Sequence, residues 1–196
     1  CSELMENGLV KAEDMPRFVS RIHSEASRLV TLVDDIIGLS QLDENAEFPK
    51  EEVDLLALAE EEVGALAATA KDKDIKISVG GEEITVTGVR RLLHEIVYNL
   101  CDNALRYTEA GGKVGVTVGK EENEAVITVS DTGIGIPPED LDRVFERFYR
   151  TDKSRSKETG GAGLGLSIVK HAVSYLGGRI SLDSAQGIGT TFKVYL

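Results

Sequence analysis

Only two of the 196 residues are cysteine, Cys1 and Cys101, and neither stands at metal-ligand spacing from other candidate ligands. That excludes a zinc site or a disulfide framework as the organising element and fits a reducing compartment. Basic residues are also scarce: 22 lysines and arginines face 34 acidic side chains, a formal net charge of -12. This balance argues against an electrostatic grip on nucleic acid, which needs cationic side chains to neutralise phosphates. No apolar run approaches the roughly 20 residues that span a bilayer, no signal peptide is visible, and the chain as given reads as soluble. Internal repeats, low-complexity segments and an initiator methionine are missing as well. The chain opens at Cys1 inside helical-looking sequence and reads as a fragment.

What is present suffices for one full domain and a smaller element, with 41% hydrophobic residues. Over residues 14–42, Asp14 can cap and Pro16 suits a first turn. Phe18, Ile22, Leu29, Val33, Ile36 and Ile37 then recur at the helical period. Residues 1–7, stopped at Gly8, look like the end of a preceding helix, so the pair reads as a helical hairpin cut off at its start. The acidic stretch 43–54, with Pro49, reads as a connector, and the domain boundary is placed between residues 46 and 47.

Beyond it, the pattern predicts helices over 53–71, 89–107, 138–148 and 163–176. Strands are predicted at 75–79, 84–87, 113–119 and 125–131, with a last pair in RISLDS and TTFKVYL. Hairpins with helices between them imply an α+β chain, a two-layer α/β sandwich with helices on one face of the sheet.

Four features carry the chemistry. In HEIVYNLCDNALRY (94–107), Glu95, Asn99, Asp102, Asn103 and Arg106 share one stripe, opposite Leu93, Ile96, Val97, Leu100 and Ala104. A solvated amphipathic face would also read this way, but such faces favour glutamate and lysine over asparagine. A carboxamide offers an oxygen for a hard cation and an N–H for a phosphate or base. Second, SDTGIGIP (130–137) ends a strand in Asp131 before Gly133 and Gly135, an acceptor for a flat ligand's amino group or a plain glycine turn. Third, ETGGAGLGLSIVKHAV (158–173) runs Gly160, Gly161, Gly163 and Gly165 into an apolar helix, an anion site or a hinge. Fourth, RVFERFYRTDKSRSK (143–157) carries six basic and two acidic residues, which suits a polyanion such as a triphosphate or a basic surface loop.

In this order the segments resemble the ATP-binding domain of the sensor histidine kinases of two-component systems, in the GHKL superfamily with gyrase and MutL-type ATPases. NLCDNALRY resembles the N box, DTGIGIP the G1 box, FERFYR the F box and GGAGLGLSIVK the G2 box; GIGTTFKV (187–194) resembles the closing glycine-threonine motif. The resemblance covers roughly residues 54–196, and residues 1–42 look like the later part of the dimerisation and phosphotransfer hairpin.

The resemblance implies a Bergerat-type fold with ATP and Mg²⁺ as cofactors. It assigns Asn103 to Mg²⁺ and the phosphates, Asn99 to the same site, Arg106 to phosphate, and Tyr107 to the neighbourhood of adenine. Asp131 would accept the adenine amino group, with Gly133 and Gly135 shaping that pocket. Gly161, Gly163 and Gly165 would back the phosphates, and residues 149–160 would form a lid with Arg150 and Arg155 as phosphate contacts. Ile136, Leu164, Leu166 and Thr190 complete the implied nucleotide-binding set. The implied activity is transfer of the γ-phosphoryl group to a protein histidine and then to the aspartate of a response regulator. A hydrolytic ATPase or serine kinase of the superfamily, or a phosphatase-biased nucleotide-sensing scaffold, stands as the alternative.

Three departures qualify the match. The family's phospho-acceptor pattern is a histidine and an acidic residue with a proline shortly after, and His23, His94 and His171 all lack it. The acceptor is therefore expected before Cys1, autophosphorylation is not expected, and the fragment is expected to be a weak dimer or monomer of cytoplasmic location, its parent anchored in the membrane by family habit. Ala162 stands where threonine or serine is common, and Gly88 where an aspartate cap is frequent, leaving Thr87 as a weaker cap.

Overall fold

A computed structural model describes residues 5, 11, 13–43, 47–150 and 163–196. The chain divides into two compact units, Cys1–Gln41 and Leu42–Leu196. In the first, helix α1 (Met15–Asp43) leaves Val19, Leu29, Val30, Val33, Ile36 and Ile37 exposed along its length. Apart from Met5, the expected preceding helix over 1–7 lies outside the described residues.

The second unit is a sheet with helices on one face. Its elements run β1 (Glu51–Asp54), α2 (Leu55–Asp72), β2 (Lys76–Gly81), β3 (Thr85–Gly88), α3 (Arg90–Tyr107), β4 (Lys113–Glu121), β5 (Glu124–Asp131), α4 (Gly165–Tyr175), β6 (Arg179–Ala185) and β7 (Gly189–Tyr195). Five strands form a mixed sheet in the order β2-β4-β5-β7-β6, in which β2 runs parallel to β4 and the other pairs are antiparallel. The β4–β5 hairpin turns on Glu122 and Asn123, both at positive φ, the geometry whose twist matches the flanking strands.

Alternation decides which face is covered. Val114, Val116 and Val118 of β4, Ile127 and Val129 of β5, and Phe192 and Val194 of β7 are buried with the apolar stripes of α2, α3 and α4. In α3 that stripe is Leu92, Leu93, Ile96, Val97, Leu100, Cys101, Ala104 and Leu105, a continuous seam at the helical period. The polar residues of the opposite stripe, Glu95, Asn99, Asp102, Asn103 and Arg106, lie half-buried outside this core.

Three local expectations need correction. The connector's end, residues 51–54, is a strand pairing with β3 in a separate two-stranded ladder, and Asp54 caps α2 by accepting from the N–H groups of Leu56 and Ala57. Thr87 does not cap α3: it lies within β3, the cap position is Val89, and no side chain caps there. The helix predicted over 138–148 is only a 3₁₀ turn, Pro138–Asp140, followed by successive turns. Phe148 takes a positive φ and its N–H donates to the carbonyl of Gly163, while the Tyr149 hydroxyl donates to Asp140 and the Arg143 guanidinium lies over the Tyr149 ring. These bonds hold the segment in turns that a continuous helix could not make.

The candidate nucleotide site

Helix α3 sets the axis of the site. Asn99 donates its Nδ2 back to the Glu95 carbonyl at 2.8 Å, so its Oδ1 is turned outward. A Cβ built on Gly165, the first residue of α4, would lie 2.8 Å from that Oδ1 and 3.8 Å from Asn103 Nδ2. The carboxamides and the start of α4 thus meet at a point where a side chain on residue 165 would intrude. Among the described residues no side chain caps α4; Leu164, just before it, is buried, its carbonyl taken by the Ser167 hydroxyl at 2.7 Å, and Leu166 packs against the core.

One turn further along α3, Arg106 holds Asp102 at 2.6 Å, a partly buried i,i+4 pair. At the end of the helix the Tyr107 carbonyl accepts the Ile134 N–H at 3.1 Å and abuts Gly133 so closely that a Cβ there would collide with it. The same turn is tied to Asp131, whose Oδ1 accepts the Gly133 N–H at 2.8 Å, and the Thr190 N–H bonds to the same carboxylate. Burial pushes the Asp131 carboxyl up from the ordinary 3.8, against these two N–H groups, which pull it down.

Gly135 has φ of 66°, and a Cβ there would run into the Ala185 carbonyl, so the turn presses against the β6–β7 hairpin as only glycine allows. That hairpin holds a residue that motif reading missed. Ser184 Oγ accepts the Ile136 N–H at 2.9 Å and lies 3.0 Å from the Gly189 carbonyl and 3.0 Å from Thr190 Oγ1. Its signal in the sequence is register: Ser184 follows Ile180 and Leu182 on the inward face of β6, a polar residue where the alternation calls for an apolar one.

The structure therefore brings Asn99 and Asn103 to Gly165, Tyr107 and Asp131 to Gly133, Thr190 to Asp131, Gly135 to Ala185 and Ile136 to Ser184. Gly163 meets the turn of Phe148 and Tyr149, and Arg150 follows that turn half-buried. Arg155 and Gly161 lie outside the described residues. His94 binds the buried Glu62 at 2.6 Å, and His171 lies between Arg147 and the Ser167 carbonyl, so both ring systems are engaged away from this line.

The family profile described as histidine kinase-, DNA gyrase B-, and HSP90-like ATPase matches residues 88–196. The chain is 37% identical over 187 residues to the sensor-like histidine kinase SenX3 of Mycobacterium tuberculosis, covering 94% of this chain and 46% of that protein. It is 34% identical over 208 residues to the sensor histidine kinase WalK of Bacillus subtilis, covering 99% of this chain and 33% of that one. The chain thus spans half or less of the length of these relatives. Among solved structures, full-length ShkA in complex with AMPPNP superposes with a TM-score of 0.82 at 28% identity, over 98% of this chain and 40% of ShkA. The mixed sheet with its helical face, the motifs carried on it and these relatives lead to one assignment: the chain belongs to the histidine kinase-, DNA gyrase B-, and HSP90-like ATPase family, with the ATP-binding regions of sensor histidine kinases as its relatives.

Proposed function

We propose that residues 47–196 bind ATP for transfer of its γ-phosphoryl group to a histidine of a phosphotransfer helix, and from there to an aspartate of a response-regulator receiver domain. Residues 1–46 would belong to the dimerisation and phosphotransfer segment of the parent protein. One observation carries the reading: α3 bears the two asparagines facing Gly165 and, at its end, the carbonyl that holds the turn after Asp131. Phosphate and base ends of a nucleotide would then be read along a single helix.

Asp131 would accept the amino group of adenine. Asn99, Asn103, Arg106, Gly161, Gly163, Gly165 and the start of α4 would meet the phosphates, with Arg150 and Arg155 closing over them. The carboxamides that Asn99 and Asn103 bring to the start of α4 carry oxygens that are hard donors and fit a hard cation; Asn103 would hold Mg²⁺, which supplies neutralisation of phosphate charge. A neutral carboxamide at Asn99 cannot take a proton from water, which favours transfer to a positioned imidazole over hydrolysis.

Calorimetric titration with ATP and Mg²⁺, together with phosphate release by the chain alone, tests this. Binding with negligible turnover, and no label on His23, His94 or His171 from γ-labelled ATP, is expected. Sustained hydrolysis would shift the reading to an ATPase. Failure to bind would leave a scaffold.

A further inference from the structure

The three strands β5, β7 and β6 place Asp131, Thr190 and Ser184 in one cross-sheet row. Asp131 is registered with Thr190, and Thr190 with Ser184. Residues directly opposite in antiparallel pairs share a face, here the one that carries Val129, Phe192 and Leu182 toward the helices. The row continues the core face at the end of the sheet where the Gly133–Gly135 turn lies.

Its hydroxyl protons can be placed by elimination. The Ile136 N–H can only donate, so Ser184 Oγ accepts there, at 2.9 Å. The Gly189 carbonyl can only accept, so the single Ser184 proton goes to it, at 3.0 Å. Ser184 then has no proton left for Thr190, 3.0 Å away, and Thr190 must be the donor of that bond. With its proton committed to Ser184, Thr190 Oγ1 shows only lone pairs to anything else it meets. Thr190 is 7% exposed, so water offers its hydroxyl little alternative.

We infer that Ser184 is a specificity-determining positioning residue: by fixing the Thr190 proton it makes the wall formed by Thr190 and Asp131 acceptor-only, selecting a purine with an exocyclic amino group over a 6-oxo purine. The inference rests on the proposed nucleotide site. An adenine amino group brings two N–H donors, whereas a 6-oxo purine brings an acceptor oxygen to the same place. Sites built for one hydrogen-bonding pattern reject the analogue that leaves their groups unmatched. Ser184 also bonds the G1 turn through Ile136, so one hydroxyl sets both the position and the polarity of the wall.

The test is titration of the chain with ATP and with inosine triphosphate, for wild type, Ser184→Ala and Ser184→Thr, each first checked by thermal melting. In Ser184→Ala the Thr190 hydroxyl is free to turn and donate to a 6-oxo group. The preference for ATP over inosine triphosphate is expected to fall by about five- to tenfold, the scale of one hydrogen bond. Ser184→Thr, which keeps the hydroxyl, is expected to restore it. Parallel weakening of both nucleotides at an unchanged ratio would overturn the inference and leave Ser184 a brace for the turn. If Ser184→Ala does not fold, Thr190→Val removes the acceptor itself and must lower the same ratio; an unchanged ratio is again fatal. Asp131→Asn separates the two levels: if wild type binds ATP and this variant binds equally well, the base is not read here and the site assignment falls, with the inference resting on it. Absence of ATP binding by the wild type would end both.

Discussion

Asn99 Oδ1 stands 2.8 Å from where the first side-chain carbon of residue 165 would be, so these two positions, on separate helices, accommodate one another only because residue 165 is glycine. The amide is held in that orientation by its own helix, through the bond from Nδ2 to the Glu95 carbonyl.

Gly165→Ala should therefore damage the site more than the fold. The methyl group displaces Asn99 or shifts the start of α4, an overpacking cost of about 1–3 kcal/mol. Calorimetry should show clearly weakened Mg²⁺–ATP binding, with far-UV circular dichroism unchanged. Undiminished affinity would mean that the two asparagines do not face the phosphates.

Asp131→Asn should weaken ATP binding by about 1.5–3 kcal/mol, the range for a hydrogen bond to a charged group. Because burial raises the Asp131 carboxyl, the acceptor is lost by protonation earlier than an ordinary aspartate would be. Wild-type affinity should start to fall on acidification while ordinary aspartates are still ionised. The Asp131→Asn variant should show no such fall from this group, and titrations across pH would expose the difference.

Glu62 gives a stability prediction of definite sign. It is 1% exposed, bonded through Oε1 to His94 at 2.6 Å, and its Oε2 has no partner among the described residues. Burial raises its carboxyl above the ordinary 4.5, with His94 opposing and Glu61 assisting. The native state thus prefers the protonated form, so this group's contribution is full below the unfolded value and is lost as pH rises through the folded one. Glu62→Gln, an isostere of the protonated acid, should match wild type in acid and exceed it in melting temperature by a margin that grows with pH. A margin that shrinks as pH rises would contradict this.

Cys101 should be silent to thiol reagents in the native chain. Burial, assisted by Glu62 and Asp102, pushes its thiol up to about 12, and the thiolate is the reactive form. Peptide mapping after alkylation should show Cys101 modified only under unfolding conditions.

How much of this was legible in the sequence depended on whether local pattern or distant contact decides the residue. Helix α3 was readable because its apolar seam and polar stripe are both local and both at the helical period. The hairpin of β4 and β5 was readable from its alternation. The segment after Pro138 was not, since Leu141, Val144, Phe145 and Phe148 mimic a helical face while the Phe148–Gly163 bond, made to a residue far along the chain, forbids the helix. Strand β1 hid inside an acidic connector because Val53 alone of its residues is buried. Among the site residues, Asn99, Asn103 and Asp131 announced themselves by chemistry out of keeping with their surroundings. Ser184 was hidden because its partners come from the Gly133–Gly135 turn and from β7, a juxtaposition only the folded hairpin creates.

Phe48→Ala should lower thermal stability by the about 0.5–1.5 kcal/mol of an aromatic pair, besides its lost contact area. Its ring meets Tyr175 edge-on at 5.4 Å between centroids, the Arg91 guanidinium lies 5.8 Å above it, and its N–H donates to the Tyr175 hydroxyl at 3.2 Å. Tyr175→Phe, which removes only the hydroxyl that the Phe48 backbone N–H meets and keeps the ring contact, should cost less in the same melts; an equal or greater loss would mean that the ring pair is not the larger part of this contact.

That contact fixes the far end of α4. Its 11 residues make a rod about 16 Å long, clasped at Tyr175 by the strap of residues leading into β1 and resting at Gly165 against the asparagines of α3. The residues leading into β1 and the asparagines of α3 therefore bear on opposite ends of one short helix, whose middle, Ile168, Val169, Ala172 and Val173, is buried in the core.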